Sequence, residues 1–174
     1  YKNYMKIRVH KVVKEKIDEI YSVFRAEIRR LESNNDRVIV PEVTIDAPNL
    51  RFVDVEVRNH GIRNDMFQEE VLTSLDIMLS FADQGKLSLD LSWMENIGTA
   101  IVQSYWITKI NEQETVGRTG FTYELGEKRF ISEKRVFRNN RLHINPDIRV
   151  IAYPEYMHWD WRDLSRRLLR PLAT

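Results

Sequence analysis

Residues 86–93, Lys86-Leu87-Ser88-Leu89-Asp90-Leu91-Ser92-Trp93, decide the fold class, because four apolar side chains alternate strictly with four polar or charged ones. A period of two lays Leu87, Leu89, Leu91 and Trp93 along one face of a β-strand. After a short loop, Met94–Gly98, the pattern resumes in Thr99–Ile110. There Val102, Trp106 and Ile110 share one face, and Ile101, Tyr105 and Ile107 share the other. Beyond the polar loop Asn111–Thr119, the segments Gly120–Leu125 and Phe130–Phe137 read as a hairpin about Gly126-Glu127. Ile148–Tyr153 reads as a last strand, ended by Pro154. Strands therefore adjoin strands instead of alternating with helices, which is the order of a mainly antiparallel sheet.

Upstream, the period changes. Met5, Ile7 and Val9 alternate with Lys6, Arg8 and His10, so residues 4–13 predict a strand. In Lys14–Glu32, Ile17, Ile20, Tyr21, Phe24, Ile28 and Leu31 recur at spacings of three and four, the stripe of an amphipathic helix. Ser33-Asn34-Asn35-Asp36 stops it, since these side chains compete for backbone hydrogen bonds. Two strands follow, Arg37–Ile45 and Leu50–Arg58, around Asp46-Ala47-Pro48-Asn49. In the second, Val53, Val55 and Val57 are expected on one face, with Asp54 and Glu56 on the other. Pro41 marks an edge or a break in the first. Asp65, with Gln68 three residues on, predicts the capped start of a helix over Met66–Ala82, and Gly85 predicts its end. A short helix over Asp160–Arg170, stopped by Pro171, closes the chain. The expectation is one α+β domain over residues 1–174, its mainly antiparallel sheet packed against two long helices, with a short C-terminal helix. A length of 174 residues suits a single domain.

The charge balance, 27 Lys and Arg against 26 Asp and Glu, conceals a division. Residues 1–64 carry +3, residues 65–125 carry −7 and residues 126–174 carry +5. That excludes a uniformly basic nucleic-acid binder and favours opposite charges on separate surfaces. Lys2, Lys6, Arg8 and Lys11 crowd the first strand, and Lys128, Arg129, Lys134, Arg135, Arg138 and Arg141 crowd the expected hairpin. In the C-terminal segment Trp159, Trp161, Leu164, Leu168 and Leu169 stand against Arg162, Arg166, Arg167 and Arg170. A basic amphipathic helix with Trp beside Leu suits a membrane interface or a docking partner. Guanidinium groups bind phosphate oxygens in pairs, so these clusters are the candidate contacts for anionic lipid or nucleic acid.

Signals for chemistry are sparse. There is no cysteine, so disulfides, thiolate metal sites and thiol nucleophiles are excluded. His10, His60, His143 and His158 lack the i,i+4 spacing of a helical metal site. Asp54 and Glu56 share a strand face, but no further carboxylate and lysine are placed beside them for phosphoryl chemistry. The glycines are isolated, with no phosphate loop and no nucleophile elbow. No apolar run approaches the roughly 18 residues of a membrane-spanning helix. The expectation is no catalytic residue, no metal and no cofactor.

The basic N-terminal stretch, the mixed α+β body and the basic, Trp-rich C-terminus together resemble the small matrix proteins of plant-infecting rhabdoviruses. Tyr153-Pro154-Glu155-Tyr156 is the nearest approach to a proline/tyrosine budding motif, without its P-P-x-Y form. The resemblance implies a non-enzymatic protein that self-associates and bridges an anionic membrane surface and a ribonucleoprotein. It also implies a place in the virion and at the host cytoplasm or membrane periphery. Two other functions fit the sequence: an accessory docking domain of a larger secretion or transfer assembly, and a small enzyme using a pocket of a curved sheet.

Overall fold

A computed structural model describes residues 14–126 and 143–163 of the chain. The chain divides into two compact units, residues 1–36 and 37–174. The described part of the first is helix α1, Lys14–Ser33, as the apolar spacing predicts to within a residue. Its end is local chemistry. Ser33 Oγ donates to the Arg30 carbonyl at 2.8 Å. Asn35 and Asp36 then take left-handed φ of 54° and 60°, a conformation these short polar side chains tolerate and a helix does not. The strand expected over residues 4–13 lies outside the described residues.

In the second unit the strands form two sheets, not one. The first is four-stranded, in the order β2-β1-β7-β6: β1 Ile39–Ile45, β2 Leu50–Glu56, β6 Thr119–Gly126 and β7 Tyr156–Asp163. Its outer pairs are antiparallel, but β1 and β7 run parallel, with Val43 opposite Met157 and Ile45 opposite Trp159. The second sheet joins β3 Leu89–Ile97, β4 Ala100–Ile110 and the two-residue β5 Gln113–Glu114, all antiparallel. Alternation from Lys86 onward is thus realised as a hairpin, and Gly98, at φ +60°, turns it. The strands reach further into the turn than expected: β3 runs to Ile97, through most of the predicted loop.

One apolar cluster draws on both sheets and on helix α2, Ser74–Asp83: Val43, Ile45, Leu75, Met78, Phe81, Ile107, Ile110, Tyr123, Met157 and Trp159 are all at most 2% exposed. Full burial of one such side chain contributes about 1.5–3 kcal/mol. Tyr123 stacks on Trp159 at 4.7 Å, and its hydroxyl donates to the Asn145 carbonyl at 3.2 Å. Burial pushes the Tyr123 phenol up to about 12, so it stays a neutral donor.

The structure corrects the expected architecture of two long helices and a short third. Helix α2 has 10 residues and starts at Ser74, so the segment 66–73 is not helical. Asp65 does not cap it, because its carboxylate holds Arg63 instead, with Nε at 2.9 Å and Nη2 at 3.0 Å. The capping pair is Thr73 and Asp76: Asp76 Oδ2 accepts from the Thr73 amide at 2.7 Å and the Thr73 hydroxyl at 2.8 Å. Seven of the ten helix residues are buried, which explains the apolar character on several faces.

The C-terminal helix is overturned where the structure describes it. Asp160–Asp163 are the end of β7, and the remainder of the expected helix lies outside the described residues. Met157 and Trp159 alternate with His158 and Asp160 at period two, and the inward pair meets β1 and β6. Burying that face outweighs the amphipathic spacing that suggested a helix. Ile148–Tyr153 forms no strand and pairs only through Val150, which bridges Thr73. In β2 the expected three-valine face also breaks: Val55 is buried, whereas Val53 is 60% exposed. Asp54 adopts φ +49°, turning Phe52 inward to meet Phe81 at 4.3 Å. The partner strand skips in step, burying Val40 and Val43 on either side of Pro41 and Glu42.

Candidate functional site

Of the residues read as membrane or nucleic-acid contacts, the structure describes Arg162. Lys6, Arg8, Lys128, Arg129, Lys134, Arg135, Arg138, Arg166, Arg167 and Arg170 lie outside the described residues. Their distribution along the chain is nevertheless informative. Residues 126–174 hold 11 of the 27 basic residues against 6 of the 26 acidic ones, for +5. Residues 65–125 hold 3 basic and 10 acidic residues, for −7. Within 65–125, Asp65, Glu69, Glu70, Asp83, Asp90, Glu95, Glu112 and Glu114 are exposed, so this surface is acidic.

Arg162 does not stand on a helix face. It belongs to a polar cluster on the face of the four-stranded sheet opposite the core. Parallel pairing places Thr44 opposite His158, and the Asp46 amide donates to the Trp159 carbonyl at 2.9 Å. Two residues along each strand, Asp46 and Asp160 follow on the same face. The inward neighbours Val43, Ile45, Met157 and Trp159 are at most 1% exposed, so packing below fixes the array above.

The contacts are asymmetric about the imidazole. His158 Nδ1 lies 2.6 Å from Thr44 Oγ1. Nε2 faces two carboxylates, with Asp160 Oδ1 at 3.3 Å and Asp46 Oδ2 at 3.6 Å. The other oxygen of Asp160 accepts a hydrogen bond from Arg162. Burial pushes the Asp160 carboxyl up, but the hydrogen bond and charge of the Arg162 guanidinium outweigh it and leave it below the usual carboxylate range. Asp160 is 8% exposed, His158 29% and Asp46 60%, so the cluster is anchored at its base and open at its rim. Among the described residues it is the one group of three side chains with metal-ligand chemistry whose donor atoms all lie within 4.8 Å of one another.

Sequence reasoning missed Asp46, His158 and Asp160 as a group. The one local signal was His158-Trp159-Asp160, where a strand period puts both polar groups on one face. Asp46 arrives through a parallel pairing across 112 residues of chain, which no local pattern announces.

Two other polar centres are structural. His60 sits between two aspartates, with Nδ1 at 3.0 Å from Asp76 Oδ1 and Nε2 at 3.0 Å from Asp83 Oδ2. Arg63 is 4% exposed and meets the fully buried Asp147 at 2.6 Å, to which Ser104 also donates. The Asp65 and Asp147 carboxylates raise the Arg63 pKa further above its ordinary value, against the effect of burial. The chain matches no family model, no curated protein and no solved structure.

Proposed function

We propose that this chain is a non-enzymatic structural protein that self-associates through opposite charge and bridges an anionic membrane surface and a ribonucleoprotein. One observation carries the reading. Residues 65–125 carry −7 and expose eight carboxylates, while residues 1–64 carry +3 and residues 126–174 carry +5. The acidic 65–125 segment of one copy attracts the basic segments of the next, and a chain near neutrality overall is complementary to itself. Basic side chains beyond those neutralised this way attract anionic lipid headgroups and phosphate backbones, each contributing about 1 kcal/mol near a charged leaflet.

Light scattering across a salt series tests it. Between about 0.01 M and about 1 M salt the screening length falls from about 30 Å to about 3 Å. The proposal expects oligomers at the low end that dissociate to monomers at the high end. It also expects sedimentation with vesicles rich in anionic lipid, weakened by replacing Arg166, Arg167 and Arg170 with Gln. A strict monomer at every salt concentration, together with no vesicle binding, overturns it.

A second reading, an accessory domain docking within a larger assembly, draws on the β3–β4 hairpin. Trp93 is 44% exposed there and Ile101 75%. Exposed apolar groups on a hairpin suit a protein partner better than a lipid headgroup. Salt-insensitive association lost on replacing Trp93 and Ile101 with Ser would favour this reading over the first.

A further inference from the structure

We propose that Asp46, His158 and Asp160 form a binding site for a divalent transition-metal cation of the zinc class, with Nε2 of His158 and one oxygen of each carboxylate as ligands. The inference goes beyond the charge-driven association and does not rest on it.

The distances match those between the ligands of a metal. A charge-assisted N–H···O bond to a carboxylate closes to about 2.7–2.9 Å. Here Nε2 stands 3.3 Å and 3.6 Å from its two carboxylate oxygens, long for either bond. Tetrahedral zinc, with bonds of about 2.0–2.2 Å, holds neighbouring donor atoms about 3.3–3.5 Å apart. The two Nε2–oxygen spacings at His158 match that range, and all three donor atoms lie within 4.8 Å of one another.

Surrounding contacts agree. When Nδ1–H donates to Thr44 Oγ1, 2.6 Å away, the Nε2 lone pair points at the two carboxylate oxygens. That tautomer, the one a metal-bound histidine uses, leaves Nε2 free to share a cation with the two carboxylates. Arg162 engages the far oxygen of Asp160 and leaves Oδ1 turned toward the imidazole. Thr44 and Arg162 thus occupy the places of second-layer partners, which orient ligands and carry up to a hundredfold in affinity. One imidazole with two carboxylates suits zinc, and an all-oxygen cation such as magnesium gains little from the nitrogen. Three protein donors leave a fourth position at the exposed Asp46 side for water or an incoming anion.

Calorimetric titration of chelator-treated full-length protein with Zn²⁺ alone tests the proposal, with Mg²⁺ as the control. The expected result is one equivalent of zinc bound and no saturable magnesium binding. His158→Gln and Asp46→Asn should each weaken zinc binding at least about 100-fold, and Thr44→Val about 10-fold or more. Circular dichroism should show the variants folded, since Asp46 and His158 lie on the open face. The control variant His60→Gln should bind zinc as the parent does. The proposal is overturned if zinc does not bind, or if it binds equally well to His158→Gln and Asp46→Asn. The second outcome would place the ion on other histidines.

Discussion

His60 and His158 each lie between two aspartates, and they differ in which nitrogen the carboxylates face. At His60 one carboxylate meets each ring nitrogen, both at 3.0 Å, so the two acids stand on opposite sides of the ring. Each contact lies at hydrogen-bond distance, and the three groups do not gather their donor atoms about one point. At His158 both carboxylates crowd Nε2 at longer range, while a hydroxyl takes Nδ1. The same three residue types therefore make a clamp in one place and a ligand set in the other. The clamp ties the 59–62 turn to helix α2, and the ligand set faces outward from a sheet whose stability comes from its other side.

The largest expected effect is on the clamp. Asp76 is 2% exposed and accepts from the His60 amide, the His60 ring, and the Thr73 amide and hydroxyl. Asp76→Ala leaves those donors buried without an acceptor, so urea unfolding should show a loss of about 3–5 kcal/mol. Asp46→Asn, at a 60% exposed side chain, should change stability by less than about 0.5 kcal/mol without metal. Equal losses at the two positions would break the contrast.

Next in size is the response to zinc. Saturation at 100 times Kd stabilises a protein by about 2.7 kcal/mol. Thermal melts of the parent and of His60→Gln should both rise with zinc, and the melt of His158→Gln should not. A smaller effect is expected at His143, a third arrangement in which the neighbouring charge is Arg149. Burial first, and then the Arg149 charge, push this imidazole down to about 4. The unfolded chain then takes a proton below pH 6.5 that the folded one refuses, so stability falls as pH drops from about 6.5 to about 4. Replacing His143 with Gln should flatten that part of the pH profile of unfolding. An unchanged slope would show that other groups set it.

How far the sequence was legible follows from the range of each signal. Helix α1 and the β3–β4 hairpin come from local periodicity alone, and both were readable. Helix α2 was found but begun eight residues early, because Asp65 and Gln68 imitate a cap whose carboxylate is in fact taken by Arg63. At Asp160–Asp163 two local patterns competed. The aromatic alternation Tyr156-Met157-His158-Trp159-Asp160-Trp161 prevailed, since it seats Met157 and Trp159 in the core. The candidate site was not legible. Its two halves lie on β1 and β7, and their parallel pairing depends on everything between them.

X-ray absorption at the zinc edge on the full chain loaded with one equivalent of zinc tests the site most directly. The account predicts a first shell with one imidazole nitrogen and oxygen donors at about 2.0–2.2 Å, and loss of the imidazole contribution in His158→Gln. A shell with two or more imidazoles, or one unchanged in that variant, would contradict it.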